Sequence, residues 1–373
     1  MTRRVFLPGW MRAWILLCVW LCAGGPSWAH PLEERLFADA ANGHFDRLTL
    51  LEAALVASGV DDPADLTRYR AQVAGRVEDL RRSGTVCGTP RQQAQAIFEF
   101  LHRRILTGGY RLECTDLRHA LDHGRFNCVS ATVLFNCLAG EFGLKVCGLE
   151  TPGHAMSRLQ TPDAPLDIET TCPRWFQLLD RPQKQAELVE KTLGRLPAKD
   201  RPASRPGTVP AFAQRKRDCP LPREISAVEL MAMIYYNRGV DLLGEKRFPE
   251  AAAANAKSMR LDPSNATARG NFLATLNNWA IDLGTSGRYG EAAELLASGL
   301  QIDPTYEAFG LNYVHVYRQW TAHLCAAGEF DQALGLLARA AAQRPSETYF
   351  LRAQSEISRR QALANDKPSP GHE

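Results

Sequence analysis

Residues 239–263 read GVDLLGEKRFPEAAAANAKSMRLDP, and residues 280–304 read AIDLGTSGRYGEAAELLASGLQIDP. The two stretches align without a gap at a spacing of 41, and a third copy follows at the same distance. Four columns carry the match: Phe248, Tyr289 and Phe330; Ala251, Ala292 and Ala333; Pro263, Pro304 and Pro345; Gly239, Ala280 and Thr321. Each column has a physical role. Small residues let two helices cross closely, the aromatic fills the corner where a helix pair meets its neighbour, and proline stops the second helix. The spacing predicts at least three stacked helix pairs.

This pattern resembles the tetratricopeptide repeat over about residues 232–345. The usual unit of that family is about 34 residues, so each unit here carries about seven more. Seven residues are close to two helical turns, which leaves a buried helix face unchanged. The resemblance implies an all-α repeat solenoid whose concave groove takes a protein or peptide ligand. Asn237, Asn278 and Gln319 form a column of amides suited to inter-repeat hydrogen bonds or to a ligand backbone. Trp279 and Trp320 beside them read as core.

Toward the N-terminus the text changes twice. Residues 181–223 are rich in Pro, Lys, Arg and Gln, and read as a solvated linker or surface excursion. Before it, the segment to Thr171 predicts a helix from Cys128 to Glu141, closed by Gly143. Three β-like runs follow, Lys145–Glu150, His154–Gln160 and Leu166–Thr170, separated by turn sequences around Pro152-Gly153 and Pro162-Asp163. A helix followed by an antiparallel meander is an α+β layout. From Leu32 to Ile105 the apolar spacing is helical throughout, as in Ala94, Ile97, Phe98, Leu101 and Ile105.

The chemistry concentrates in that α+β segment. Cys128 falls at the start of an apolar helix, where backbone N–H groups and the helix dipole favour thiolate and can receive an oxyanion. His154 opens a strand after a Pro-Gly turn. Asp167 and Glu169 lie two apart on the next strand and so project from one face. A nucleophile, a base and an orienting acid in this order satisfy the needs of cysteine acyl transfer.

The order of helix-borne Cys, strand His and strand acid resembles the transglutaminase-like superfamily of papain-type cysteine enzymes, over roughly residues 91–172. The approach fits too, through Phe98-Glu99-Phe100-Leu101-His102, Tyr110 and Thr115–Gly124. The resemblance implies that Cys128 is the nucleophile and His154 the base, with Glu169 or Asp167 as the orienting acid. That family commonly shows Asp-x-Thr at the third position. Glu169-Thr170-Thr171 keeps its shape, whereas Asp167 keeps its residue type. Phe126 stands where a glycine often precedes the cysteine, and Met156 where a tryptophan often follows His-Ala. The implied activity is that of a peptidase or amidase, or of a transglutaminase, acting on a protein or peptide.

The alternative is a non-catalytic adaptor that keeps both folds and binds partners through its repeats. Cys114, His119, His123 and Cys128 are donor types that zinc accepts, but binding would consume the nucleophile, and the spacing matches no zinc module. No metal and no cofactor is expected. Cys137 and Cys147 are flanked by apolar residues and read as packing.

The start of the chain is read apart from both folds. Arg3, Arg4 and Arg12 precede an apolar run from Ala13 to Ala23, and Ser27 and Ala29 sit at −3 and −1 to a cut before His30. This is the pattern of a secretory signal peptide, so the protein is expected to be exported, periplasmic or extracellular, with no transmembrane segment after cleavage. Without residues 1–29 the chain carries 41 Lys+Arg and 41 Asp+Glu, which argues against a nucleic-acid binder. Eight cysteines remain, and sequence assigns them no pairing.

The reading of the 373 residues is therefore a signal peptide (1–29), a helical region (30–90) and an α+β transglutaminase-like domain with a helix on a small antiparallel sheet (91–178). A basic linker (179–226), tetratricopeptide repeats (227–350) and a tail (351–373) complete it.

Overall fold

The computed structural model describes residues 30–151, 153–179 and 222–365. The expected signal peptide and most of the linker lie outside the described residues. Two compact units divide the chain: one joins the residues up to Asp241 to Ala253–Ala268, the other joins Leu242–Ala252 to the residues from Arg269 onward.

The first unit opens with helices α1 (Pro31–Asp39), α2 (Leu50–Ala57), α3 (Pro63–Arg82) and α4 (Pro90–Arg104). Their starts are written in the sequence. Thr49 with Glu52, and Thr89 with Gln92, form reciprocal capping boxes, and Pro31, Pro63 and Pro90 occupy first-turn positions where a missing N–H costs nothing. A two-stranded parallel hook, β1 (Gly109–Tyr110) with β2 (Arg125–Phe126), brackets helix α5 (Leu117–His123). Helix α6 (Cys128–Glu141) follows. It is apolar on every side and buried along most of its length, as a central helix must be.

The sheet contains β3 (Val146–Thr151), β4 (His154–Leu159), β5 (Leu166–Ile168) and β6 (Arg223–Ile225), in the order β5-β4-β3-β6 and antiparallel throughout. The helix and three strands follow the sequence reading closely. Along β4 the side chains alternate: Ala155, Ser157 and Leu159 are buried, and Ser157 Oγ donates to Asn136 Oδ1 of α6 at 2.8 Å. His154, Met156 and Arg158 take the other alternation.

The fourth strand was not legible as one. β6 lies at the far end of the segment read as linker, and pairs Ile225 with Gly148, whose missing Cβ would stand 2.6 Å from Ile225 Cγ1. After the short α7 (Trp175–Leu178) and β6 comes α8 (Ala227–Gly244), the first helix of the repeat pattern. It packs into the core of this first unit through Met231, Ile234 and Tyr235. Tyr235 Oη donates to buried Glu33 at 2.7 Å, and Lys257 Nζ pairs with the same carboxylate at 2.7 Å. The chain passes from the first unit to the second at Asp241–Leu242, inside the first repeat helix, returns at Ala253 and leaves again at Arg269.

The second unit is the repeat array: α10 (Ala266–Thr285), α11 (Tyr289–Ile302), α12 (Glu307–Ala326), α13 (Phe330–Gln343) and α14 (Thr348–Asn365). Helix α9 (Phe248–Leu261) precedes it. Helices start at Phe248, Tyr289 and Phe330, and at Ala266, Glu307 and Thr348, which reproduces the spacing of 41 in both series. The first helices α10 and α12 have 20 residues and the second helices 14, so the added length lies in the former. Ala292 and Ala333 are fully buried. Pro304 and Pro345 follow the ends of α11 and α13 by two residues. Helix α14 runs to Asn365, past the expected end of the repeats at 350. Among the described residues no helix is long and apolar enough to cross a membrane.

Candidate functional site

Helix α6 begins at Cys128 because Asn127 stops the chain there in extended geometry. Asn127 Oδ1 accepts from Val129 N at 3.0 Å and Ser130 N at 3.1 Å, and Ser130 Oγ accepts from Asn127 N at 3.0 Å. The cap is itself anchored. Asn127 Nδ2 donates to Leu112 O and to Thr115 Oγ1, and Thr115 Oγ1 also accepts from Asn237 Nδ2 of α8 at 3.0 Å. Asn237 is thus spent on the α+β unit and not on a neighbouring repeat. An inter-repeat amide bond lies outside the predicted column, from Asn312 Nδ2 to Asn277 Oδ1 at 2.7 Å.

The approach to Cys128 is a close turn. Gly124, at φ +69°, ends α5, and a Cβ there would meet Gly108 N at 2.7 Å. Only glycine fits both demands. The turn lays β2 beside β1, pairing Phe126 with Tyr110, and Arg111 N donates to Phe126 O at 2.8 Å. Phe126 fills the space between two rings, with centroids 5.9 Å from His102 and 6.1 Å from Tyr110.

His154 stands between Cys128 and Glu169. Its Nε2 bonds Glu169 Oε2 at 2.6 Å, and Cys128 lies near enough to act on its charge. Burial pulls the imidazolium down, but Cys128 and Glu169 outweigh burial and push His154 up to about 10. Burial likewise raises Glu169, yet its bonds to His154 and Thr171 hold it below the ordinary carboxylate range. Glu169 Oε1 is occupied separately, accepting from Thr171 N at 2.9 Å and Thr171 Oγ1 at 2.6 Å. One carboxylate oxygen is fixed by its own loop and the other faces the imidazole.

The loop is braced from behind. Thr170 is fully buried, its hydroxyl bonds the Thr132 hydroxyl of α6 at 2.9 Å, and its carbonyl accepts from His102 Nε2 at 3.0 Å. Desolvation lowers His102 to about 4, so this histidine is neutral, donating through Nε2.

Asp167 stands apart from His154. Its two oxygens accept from Arg158 Nε at 2.6 Å and Nη2 at 2.9 Å, a bidentate pair across β4 and β5. Glu169, two residues on, is the acid that bonds His154. Tyr110, given no chemical role by the sequence reading, stands near enough to Cys128 for the two to act on each other's charge. Among the described residues the cysteines are all free, and no group of three His, Cys, Asp or Glu side chains could hold a metal ion.

The model of the tetratricopeptide repeat family matches residues 285–357. No curated protein and no solved structure matches the chain.

Proposed function

We propose that the α+β unit is a transglutaminase-like cysteine acyl-transfer domain, a peptidase or amidase or a transglutaminase, joined to a repeat array that binds a protein partner. The observation that carries this reading is the His154 ring, bonded to Glu169 through Nε2 and held charged by both Glu169 and Cys128. Glu169 takes Nε2, which leaves Nδ1 for the sulfur, the division of labour that a nucleophile–base–acid set requires. Asp167, committed to Arg158, is left out of the set.

In this mechanism Cys128 reacts as a thiolate beside the His154 imidazolium. Sulfur bonds to the substrate carbonyl carbon, and the carbonyl π pair moves onto oxygen. The imidazolium then gives its proton to the leaving nitrogen as the C–N bond breaks, giving a thioester and neutral His154. A water or amine, deprotonated by His154, releases the acyl group and restores the thiol. Glu169 holds the ring orientation through both steps.

The repeat unit supplies recognition. Repeat arrays of this family commonly bind proteins in their groove. The segment 1–29 would direct export and leave His30 as the first residue.

Iodoacetamide labelling near pH 6, read residue by residue by mass spectrometry, tests the reading. Cys128 should label fastest among the cysteines, and His154→Gln should remove that advantage. Labelling of Cys128 no faster than that of the half-buried, apolar-flanked Cys137 would favour the adaptor alternative, in which the chain only binds through the repeats.

A further inference from the structure

The helix start that presents Cys128 is poorer in free donors than its position suggests. Asn127 Oδ1 takes the Val129 and Ser130 N–H groups, and Ala131 N donates to Asn127 O at 3.0 Å. That leaves the N–H of Cys128 itself with no acceptor among the described residues. One backbone donor is a thin provision for a tetrahedral oxyanion, which is normally met by at least two fixed donors. A second must come from another element.

Tyr110 meets the requirements. The parallel pairing of β1 with β2 fixes it opposite Phe126, two residues before Cys128. Its ring packs edge-on against Phe126 while remaining 44% exposed, so it borders the way in from solvent. It stands near enough to Cys128, on whose sulfur the tetrahedral carbon would be built, for the two to act on each other's charge. We propose that Tyr110 is a further catalytic residue, whose hydroxyl donates to the substrate oxyanion together with the Cys128 N–H. The assignment rests on the acyl-transfer reading above.

The step balances without any other reactant. As the S–C bond forms, the carbonyl π pair becomes the oxyanion lone pair, and the Tyr110 O–H donates to that oxygen without giving up its proton. When the C–N bond breaks the pair returns to the carbonyl and the hydroxyl is released. Burial, with Cys128 and Glu169 nearby, raises the phenol well above its usual range, so it keeps its proton as a donor.

Two reagents separate this role from a structural one. p-Nitrophenyl acetate acylates sulfur through a tetrahedral oxyanion, whereas iodoacetamide alkylates it by direct displacement with none. Both reactions are followed at Cys128 by peptide mass spectrometry on the full chain, for wild type, Tyr110→Phe and Cys128→Ala. Tyr110→Phe keeps the ring against Phe126 and should slow acylation about 100-fold, the usual effect of losing one oxyanion donor, with alkylation within about twofold of wild type. Equal slowing of both reactions would assign Tyr110 to the sulfur or to the fold and overturn the proposal, and so would no change in either. A wild-type Cys128 that alkylates readily but acylates no faster than a free thiol would sink the acyl-transfer reading, and this assignment with it.

Discussion

Replacing Glu169 with Gln should move the His154 titration from about 10 down to about 8 or lower. The histidine reaches its value from an ordinary 6.5 against the pull of burial. That rise corresponds to about 5 kcal/mol in favour of the imidazolium, at about 1.36 kcal/mol per pH unit. Two partners share it, Cys128 and Glu169. A charge-assisted hydrogen bond contributes roughly 1.5–3 kcal/mol, so losing Glu169 alone should lower the titration by about 1–2 pH units. The geometry adds to this. Thr171 N–H and O–H both donate to Oε1, so the oxygen of a Gln amide will take that side. Its NH2 then faces His154 Nε2, which can be met only by a neutral ring with Nε2 bare. His102 shows where a buried imidazole without a bonded carboxylate settles, at about 4. The double variant Glu169→Gln, Cys128→Ala should therefore bring His154 below 6.5. The assay is an NMR titration of the ring carbons of labelled histidine, with His154 assigned from its loss in His154→Gln. A wild-type His154 that is neutral at pH 7.5, or a Glu169→Gln variant still titrating near 10, would refute the reasoning.

Further outcomes follow from the same contacts. Asp167→Asn should leave Cys128 acylation within about twofold of wild type while Glu169→Gln slows it at least about tenfold, because only Glu169 orients the imidazole; equal effects would contradict the assignment. The stability that His154 draws from its partners should be complete below its unfolded value near 6.5 and fade as pH rises through about 10, while that of Glu169 fades as pH falls below 4.5. The gap in urea midpoint between wild type and His154→Gln should thus be widest between about 4.5 and 6.5; a gap that grows toward alkaline pH would be inconsistent. In the repeats, a Cβ at Gly299 would lie 2.7 Å from the ring of fully buried Phe309, so Gly299→Ala should cost roughly 1–3 kcal/mol in thermal unfolding, and an unchanged transition would count against this packing.

The repeat period was legible because it is a property of spacing. Phe248, Tyr289 and Phe330 head their helices, and the buried alanines mark the crossings. Helix α6 and three strands were legible for a similar reason, since the cap, the Gly143 stop and two turns are local signals. Partners over long sequence distances were not. Arg223–Ile225 is too short and too charged to announce a strand, and becomes one only by pairing with β3. Asn237 sits in register with the other repeat amides, but periodicity fixes a face and not a partner, and its partner proved to be Thr115. The two candidate acids shared a face on the sequence; in the fold Asp167 pairs with Arg158 and Glu169 with His154. Tyr110 was legible only as part of the approach to the cysteine, because its position is set by a parallel pairing with Phe126. The loss of helix-start donors was in plain view, since Asn127 and Ser130 spell a capping box.

The central claim is that Cys128 and His154 act as one reacting pair, and trapping a thioester tests it most directly. The full chain is mixed with p-nitrophenyl acetate, quenched in acid and digested, and the acetyl group is located by mass spectrometry. The account predicts acetylation of Cys128 ahead of Cys87, Cys114, Cys137, Cys147, Cys172 and Cys325, abolished in Cys128→Ala and reduced at least about tenfold in His154→Gln. Acetyl groups spread over the cysteines by exposure, with exposed Cys87 first and Cys128 indifferent to His154, would contradict it.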